Sequence, residues 1–330
     1  MAGPAGGAPE PGPASGPAPL PVVALFGPTG VGKTRVALGL ADALRERGED
    51  PVAISADALQ VYAGLETLTG AATAAERARL EHRLVGIVPV HQTFSVGAYA
   101  TLAHAEIDAA LAAGRRPVVV GGTGLYLRAA LATLTLAPAP PPAARARWEA
   151  RMAEHGPAAL HAELRARAPE AAERIAPTDR SRIVRALELD ELGRLDRPRA
   201  ESELWTRATR HPTALFALVM ERAALYERID ARVEAIAAAG GGEEARRALA
   251  AGASRTARKA LGFEELLAGD VETMKRRTRR YAKRQLTWLR RLPDAEEIDL
   301  TGRDPAAVGR ALAERVAPVL RRPRRTSRTA

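Results

Sequence analysis

The sequence predicts an α/β fold, a doubly wound parallel sheet with a small helical insertion and a helical, basic C-terminal part. Short apolar runs at residues 22–26, 51–55, 116–120 and 213–220 alternate with longer segments of helical periodicity, which is the pattern of βαβ units. A proline-rich segment at residues 136–142 precedes two charged amphipathic helices. The first apolar run leads into a glycine loop and then into a helical pattern, which indicates a sheet of the P-loop type.

The glycine loop, GPTGVGKT, occupies residues 27–34. Its spacing, G-x-x-x-x-G-K-[ST], lets backbone N–H groups and the start of a helix surround a phosphate. Lys33 adds a positive charge, and Thr34 adds a hydroxyl that can bind Mg²⁺. The alternative is a glycine-rich turn that binds nothing, and the match at every motif position disfavours it. The residues expected at the phosphates are Gly27, Thr29, Gly30, Val31, Gly32, Lys33 and Thr34.

Polar side chains follow the second and third apolar runs. Asp57 comes just after residues 51–55, and Thr123 follows a Gly-Gly pair after residues 116–120. Because ligands of doubly wound sheets bind beyond the carboxyl ends of the strands, both should face the ligand of the glycine loop. Gln60, an amide close to that carboxylate, suits recognition of a base edge. Two roles stay open for Thr123, a hydrogen bond to a phosphate oxygen or the cap of the next helix.

The composition excludes several classes of protein. The 330 residues include no cysteine, which excludes disulfides, cysteine–zinc modules and thiol nucleophiles. No run approaches the roughly 20 consecutive apolar residues of a membrane span. Residues 1–20, rich in Ala, Gly and Pro, lack the pattern of a signal peptide. We therefore expect a cytoplasmic enzyme without a membrane partner, with disordered tails at residues 1–20 and 317–330.

The formal net charge of +10 favours a polyanionic partner, and nucleic acid is the commonest polyanion in cytoplasm. A GC-rich genome, which enriches arginine and alanine, explains the same charge, and composition leaves the two explanations open. Arg182 and Arg185 share one face of a helix that Thr178 or Asp179 caps. This face is either a nucleic-acid contact or a solvated basic stripe.

A second basic helix is predicted over residues 274–290. Tyr281, Gln285 and Trp288 fall on one face of it, and lysine and arginine populate the others. Such a helix can lie along a phosphate backbone, or its aromatic face can belong to the protein core. The residues alone leave both interpretations open.

Taken in order, these motifs resemble those of the tRNA dimethylallyltransferases, the isopentenyltransferase family that modifies the adenosine beside the anticodon. The likeness covers about residues 22–292 and includes DALQ at 57–60, GGTGLY at 121–126 and YAKRQLTW at 281–288. Many unrelated enzymes share the glycine loop, whereas the last of these segments is far more selective.

The resemblance implies transfer of a dimethylallyl group from dimethylallyl diphosphate to the exocyclic amine of that adenine, with release of diphosphate and with Mg²⁺ as cofactor. It implies that Asp57 is the catalytic base, that Thr123 lies at the reacting centre and that Arg145 contacts the diphosphate. A monomer acting on tRNA is expected. The implied tRNA contacts are Asp57, Ala58, Leu59, Gln60, Thr123, Arg145, Ser181, Arg182, Ile183, Val184, Arg185, Lys259, Gly262, Phe263, Lys283 and Arg284.

With this resemblance the chain divides into five parts. They are a disordered tail at 1–20, the first part of the P-loop core at 21–137, a helical insertion at 138–176, the completion of the core with the tRNA-binding helices at 177–316, and a disordered basic tail at 317–330.

The chain departs from the family pattern close to the expected site. Ala71 stands where the family has a lysine, Ala58 stands where serine is usual, and Phe263 replaces a usual tyrosine. These departures leave the core chemistry intact and put substrate affinity and tRNA preference in question.

Three other functions compete with this one. A small-molecule P-loop kinase would bind ATP at the loop and use Asp57 to activate a hydroxyl, but it has no need of the basic C-terminal helices. An isopentenyltransferase acting on free adenine nucleotides needs no long RNA-binding surface. An RNA-binding module with a vestigial loop is disfavoured because the loop is unbroken and Asp57 is retained.

Overall fold

The computed structural model describes residues 20–136, 139–195 and 203–316, so both predicted tails lie outside the described residues apart from residue 20. A six-stranded sheet runs through it in the order β3-β2-β4-β1-β5-β6, and all neighbouring strands are parallel. This confirms the predicted doubly wound parallel sheet. The strands are β1 Val22–Phe26, β2 Pro51–Ser55, β3 His82–Arg83, β4 Arg116–Gly121, β5 Thr213–Val219 and β6 Glu296–Asp299.

Helices cover both faces of the sheet. They are α1 Lys33–Glu46, α2 Glu66–Thr69, α3 Ala74–Arg79, α4 Val96–Ala112, α5 Gly124–Leu131, α6 Pro142–Arg167, α7 Pro169–Glu173, α8 Arg180–Glu191, α9 Arg222–Ala238, α10 Gly241–Ala250, α11 Phe263–Leu267, α12 Val271–Leu289 and α13 Pro305–Arg315, with 3₁₀ turns at Glu203–Trp205 and Ala257–Lys259. In the ranges given above, no helix combines the length and the apolarity needed to cross a membrane.

The sheet separates two apolar cores because alternate residues of a strand point to opposite faces. Val23 and Leu25 of β1 join one core with α1, α9 and α13, whereas Val22, Ala24 and Phe26 join another with α4 and α5. All five are at most 1% exposed. A strand that is buried on both faces needs a continuous apolar run, which explains why this strand could be predicted from the sequence.

The helices of the predicted insertion share an apolar core of their own. Helix α6 is broken at Gly156, where φ is 76° and ψ is 172°, immediately before Pro157, so it consists of two helical segments as the sequence predicts. A third apolar core joins these segments to α8 and includes Trp148, Ile183 and Leu187. The insertion therefore continues through α8, beyond its predicted end.

The last two elements, β6 and α13, were not predicted from the sequence. Helix α13 packs against α1 with the two backbones in close contact. A Cβ on Gly39 would overlap the carbonyl oxygen of Ala306, and a Cβ on Gly309 would overlap that of Val36. Glycine on both helices therefore allows this packing, which an apolar pattern does not reveal.

Candidate active site

A cavity of about 670 Å³ opens at the carboxyl edge of the sheet. Its walls come from the loop after β1, the segment after β2, the end of β4, and helices α9 and α12. Because the strands are parallel, their carboxyl ends all meet at this edge. Five of the seven loop residues predicted at the phosphates line the cavity: Thr29, Gly30, Gly32, Lys33 and Thr34.

The glycine loop has a conformation that its sequence requires. Gly30 and Gly32 have φ of 83° and 106°, in the left-handed region that glycine adopts without strain. Gly27 has no room for a side chain, because a Cβ would lie 2.8 Å from the carbonyl oxygen of Leu218. Val31 is fully buried. Gly27 and Val31 thus shape the loop, and neither is among the cavity-lining residues.

The Lys33 ammonium is held against the loop itself. Its Nζ donates hydrogen bonds to the carbonyl oxygens of Gly27, at 2.9 Å, and Pro28, at 3.0 Å. Burial lowers the pKa of Lys33 to about 8, while Asp57 raises it and Arg232 lowers it to a smaller extent. The lysine is therefore poorly solvated for a cation, and an anionic ligand would stabilise its charged form.

Two arginines that were missed in the sequence stand opposite the loop. Arg228 and Arg232 are four residues apart on α9, so they share a face, and both line the cavity. Arg228 Nε donates to the carbonyl oxygen of Gly30 at 2.9 Å. Arg232 Nη2 donates to the carbonyl oxygens of Thr69 and Gly70, each at 3.2 Å. The one signal in the sequence was that α9 follows a predicted strand, β5; the pairing of β5 with β1, which brings α9 to the loop, is a long-range contact.

Arg145, which the family resemblance assigns to the diphosphate, is not among the residues that line the cavity. It lies on α6, where its guanidinium pairs with Glu188 of α8, with Nη2 and Oε2 2.8 Å apart. Glu188 is fully buried and also accepts from Arg185, at 3.3 Å. The structure thus brings Arg228 and Arg232 to the loop, and it uses Arg145 to hold two helices of the insertion together.

Asp57 and Thr123 lie at the ends of adjacent strands, as predicted. Asp57 Oδ1 accepts hydrogen bonds from the N–H groups of Leu59, at 2.9 Å, and Gln60, at 3.4 Å. Thr123 Oγ1 accepts from the N–H of Ala58 at 3.4 Å and makes no capping hydrogen bond to α5. Thr123 thus stands at the N-cap position of α5 without a side-chain cap, and its hydroxyl instead contacts the segment that carries Asp57.

Helix α12 packs one face onto the turn after β4. The hydroxyl of Tyr281 lies 3.3 Å from that of Thr123, and Gln285 is buried between this turn and the glycine loop. Trp288 packs so closely on Gly124 that a Cβ there would overlap its ring. Burial raises the pKa of Tyr281 to about 12, with a further contribution from the charge of Asp57. The predicted face therefore packs against the protein and is not a free surface, and its Tyr281 and Gln285 also line the cavity.

The residues predicted at tRNA separate into exposed and buried groups. The exposed ones are Ser181, Arg182, Lys259, Lys283 and Arg284, and the half-buried ones are Asp57, Ala58, Leu59, Gln60, Thr123, Arg145 and Arg185. The buried ones are Ile183, Val184, Gly262 and Phe263. The side chains of Ile183, Val184 and Phe263 pack in the apolar cores, so they are not available to contact a ligand.

The protein donors at the loop fit a magnesium ion that is bound largely through phosphate. Thr34 and Asp57 both line the cavity. Across the part of the chain that the structure describes, there is no cluster of three or more acidic or histidine side chains that could hold a metal by itself. Mg²⁺ usually takes one or two protein oxygens, keeps several waters and binds substrate phosphates, so this sparse donor set is compatible with it.

An all-parallel sheet with a glycine loop between β1 and α1 places the chain among P-loop α/β proteins. The sequence model of the family described as IPP transferase matches residues 60–292. This chain belongs to the IPP transferase family.

Individual relatives match over most of the chain. The tRNA dimethylallyltransferase of Kineococcus radiotolerans is 41% identical over 308 residues, which cover 89% of this chain and 96% of the relative. That of Rhodospirillum centenum is 44% identical over 288 residues, covering 83% and 90%.

A solved structure shares the fold. The full-length tRNA isopentenylpyrophosphate transferase from Bacillus halodurans superposes with a TM-score of 0.63 at 32% identity, covering 90% of this chain and 96% of that one. The resemblance inferred from the motifs is confirmed. Because the similarity includes the C-terminal helices, the small-molecule kinase is not favoured.

Proposed function

We propose that this chain transfers a dimethylallyl group from dimethylallyl diphosphate to the exocyclic amine of the adenosine beside the anticodon of a tRNA, and releases diphosphate. One observation carries the proposal: a single cavity contains the glycine loop with Lys33 and Arg232 and also contains Asp57. Relatives named tRNA dimethylallyltransferase, about 40% identical over most of the chain, support it.

The glycine loop and its cations bind the diphosphate in this proposal. Backbone N–H groups at Gly30 and Gly32, the start of α1, and the side chains of Lys33 and Arg232 all concentrate positive charge at one point. As the bond between the prenyl carbon and the diphosphate oxygen breaks, negative charge grows on the leaving group, and these donors stabilise it. Thr34 would help to hold Mg²⁺, which when bound would supply further positive charge there.

The cavity also offers a place for the prenyl tail. Apolar side chains contribute to its walls at Leu59, Leu68, Val233, Ile236, Leu261 and Met274. A five-carbon tail is fully apolar, so contact with these side chains removes it from water. The same enclosure limits the access of water to the reacting carbon, which would otherwise hydrolyse the donor.

Asp57 acts as the base. The adenine amine attacks the prenyl carbon, the new carbon–nitrogen bond forms, the carbon–oxygen bond to diphosphate breaks, and Asp57 takes the proton that the amine loses. Two backbone N–H groups fix Oδ1 of this carboxylate. Thr123 supports the segment that carries this base: it is not among the cavity-lining residues, but its hydroxyl accepts from the N–H of Ala58, the residue after Asp57. The adenosine must leave its stack to enter the cavity.

We infer that tRNA binds as the partner of a monomer across the exposed cations of α8 and α12. Arg182, Lys283 and Arg284 are exposed and lie on two different helices. Phosphate contacts of this kind give affinity that falls as salt rises.

The acceptor position can be tested with two tRNA transcripts. One carries adenosine beside the anticodon, and the other carries guanosine at that position and is otherwise identical. With radiolabelled dimethylallyl diphosphate and Mg²⁺, the proposal predicts label on the first transcript only. Equal labelling of both would refute the assigned acceptor, and labelling of neither would refute transfer to tRNA.

A further inference from the structure

Gln285 joins the two sides of the candidate active site through one buried amide. The side chain, on α12, is only 4% exposed. Its Oε1 accepts a hydrogen bond from the N–H of Thr29 in the glycine loop at 2.9 Å. Its Nε2 donates to the carbonyl oxygen of Gly122, in the turn after β4, at 2.7 Å. The same amide thus accepts a hydrogen bond from the glycine loop and donates one to the turn after β4.

The local sequence is arranged around this amide. A Cβ on Gly122 would overlap Nε2 of Gln285 and would lie 3.1 Å from the carbonyl oxygen of Gly27 and 3.3 Å from Lys33 Nζ. A residue with a side chain would therefore displace the amide. One turn of α12 before Gln285, Tyr281 contacts Thr123, so consecutive residues of the turn are held by one helical face.

The hydrogen bond to Thr29 has a consequence for the loop. A backbone N–H that donates to a buried amide oxygen is not available to a diphosphate, so Thr29 serves to set the loop rather than to contact the ligand through its N–H. The carbonyl of Gly122 precedes Thr123, whose hydroxyl belongs to the acceptor side. One side chain therefore sets the distance between the leaving-group side and the acceptor side.

We infer that Gln285 is a positioning residue that holds the glycine loop and the turn at residues 122–124 in register, and so aligns the diphosphate donor with Asp57 and the amine. The kinetic part of this inference rests on the proposed function, whereas the structural part does not. Reactions between two bound groups are sensitive to small misplacements, so loosening this register lowers the rate more than the affinity.

Two variants distinguish the hydrogen bond to Thr29 from the hydrogen bond to Gly122. Gln285→Met has a similar length and makes neither hydrogen bond, whereas Gln285→Glu keeps an oxygen that accepts from Thr29. Gln92→Glu, at an exposed position, is the matched control for the change from amide to carboxylate.

Hydrogen–deuterium exchange of the free proteins tests the structural part. Gln285→Met should speed exchange about tenfold or more at Thr29, whose N–H loses its acceptor, and also in residues 122–124, because the turn loses the donor that holds the Gly122 carbonyl. Gln285→Glu should keep Thr29 protected, and Gln92→Glu should match the wild type. Unchanged exchange in Gln285→Met, or loss of protection at Thr29 in Gln285→Glu, would overturn the inference.

Single-turnover kinetics at saturating dimethylallyl diphosphate and tRNA test the consequence. The rate constant of Gln285→Met should fall about ten- to a hundredfold, as for loss of a buried hydrogen bond, while both dissociation constants change less than about threefold. A merely structural role would lower the amplitude and leave the rate constant of the folded fraction unchanged. If the wild-type chain transfers no prenyl group, the proposed function fails, and the exchange experiment still decides whether the amide joins the two segments.

Discussion

Single residues at the cavity act on one another through charge. Burial lowers the pKa of Lys33 and raises that of Tyr281; the charge of Asp57 opposes the first shift and adds to the second, and Arg232 adds to the first. The carboxylate thus lies close enough to both groups to act on them through its charge. The charge of Lys33 changes as pH rises through about 8.

The base role gives the first prediction. Asp57→Asn keeps an oxygen that can accept from the N–H of Leu59 but cannot take a proton. We expect the single-turnover rate constant of prenyl transfer to fall by about 10²–10⁴. The tRNA dissociation constant should stay within about threefold, because the residue does not neutralise phosphate.

Asp294→Asn is the matched control, since Asp294 is an exposed aspartate that pairs with Arg207. Retention of more than about a tenth of the wild-type rate by Asp57→Asn would remove Asp57 from the base role.

The charge of Lys33 makes the affinity for dimethylallyl diphosphate depend on pH. Its pKa of about 8 in the free protein means that it loses its proton as pH rises through that value. A bound diphosphate stabilises the ammonium and raises this pKa, so binding takes up a proton above about pH 8 and affinity falls by up to tenfold per pH unit. Calorimetric titration with dimethylallyl diphosphate between about pH 6 and 10 measures the fall.

Lys33→Arg is the informative comparison, because a guanidinium stays charged throughout this range. Its affinity should be lower but should lack the break near pH 8. A wild-type affinity that is flat across the range would contradict the charge balance inferred for the cavity.

Whole elements are held by contacts of different kinds. The pairing of α1 with α13 depends on backbone contact at Gly39 and Gly309, whereas the insertion depends on an apolar core and the buried carboxylate of Glu188. Added side-chain volume should therefore destabilise the α1–α13 pair, whereas loss of a charged partner should destabilise the insertion.

The helix pair gives a stability prediction. In Gly39→Ala the new methyl group meets the carbonyl oxygen of Ala306, a backbone atom that cannot rotate away. We expect the free energy of unfolding to fall by about 1–3 kcal/mol, measured by urea titration. Gly97→Ala in α4 is the control, since its Cβ would have Ser95 Oγ at 3.8 Å as its nearest neighbour. Equal stabilities of the two variants would contradict the packing described.

Helix α8 carries an arginine, Arg182, whose charge faces solvent. The Arg182 side chain is 73% exposed. Arg182→Ala should therefore weaken tRNA binding and reduce the slope of log affinity against log salt by about 1, with unfolding unchanged. Fluorescence titrations with labelled tRNA at several salt concentrations measure the slope. An unchanged slope would show that this face is a solvated basic stripe and not a contact to tRNA.

Arg145→Ala is the contrasting variant on α6. It removes a partner of the buried Glu188 carboxylate, so the free energy of unfolding should fall by about 1–3 kcal/mol.

Features that local sequence patterns determine could be predicted from the sequence, whereas features that depend on long-range contacts could not. β1 and β2 were predictable because a strand buried on both faces needs a continuous apolar run. The glycine loop and Asp57 were predictable because local order and the rule of carboxyl ends determine their place. β6, with the sequence EEID, lacks the apolar run and was missed.

The missed site residues depend on long-range packing. Arg228 and Arg232 reach the loop only because β5 lies beside β1, which places α9 over the cavity. Gln285 was placed on the correct helical face, but its two partners, Thr29 and Gly122, are distant in the chain. No local pattern specifies such contacts.

At the scale of the whole molecule, the site lies where three parts of the chain meet. The strand ends supply the phosphate-binding loop and the base, α9 supplies cations, and α12 joins the site to an exposed basic surface. A net charge of +10 gives this surface long-range attraction for a polyanion. An enzyme acting on a free nucleotide has no need of such a surface, so the choice of acceptor is the central claim.

The measurement that tests this claim most directly supplies the purified protein with radiolabelled dimethylallyl diphosphate and Mg²⁺, and offers it unmodified tRNA, AMP or ATP in parallel reactions. We expect label to reach an adenosine of the tRNA and neither free nucleotide. Label on AMP or ATP alone would contradict the assignment to tRNA, and the absence of prenyl transfer in every reaction would contradict the assigned chemistry itself.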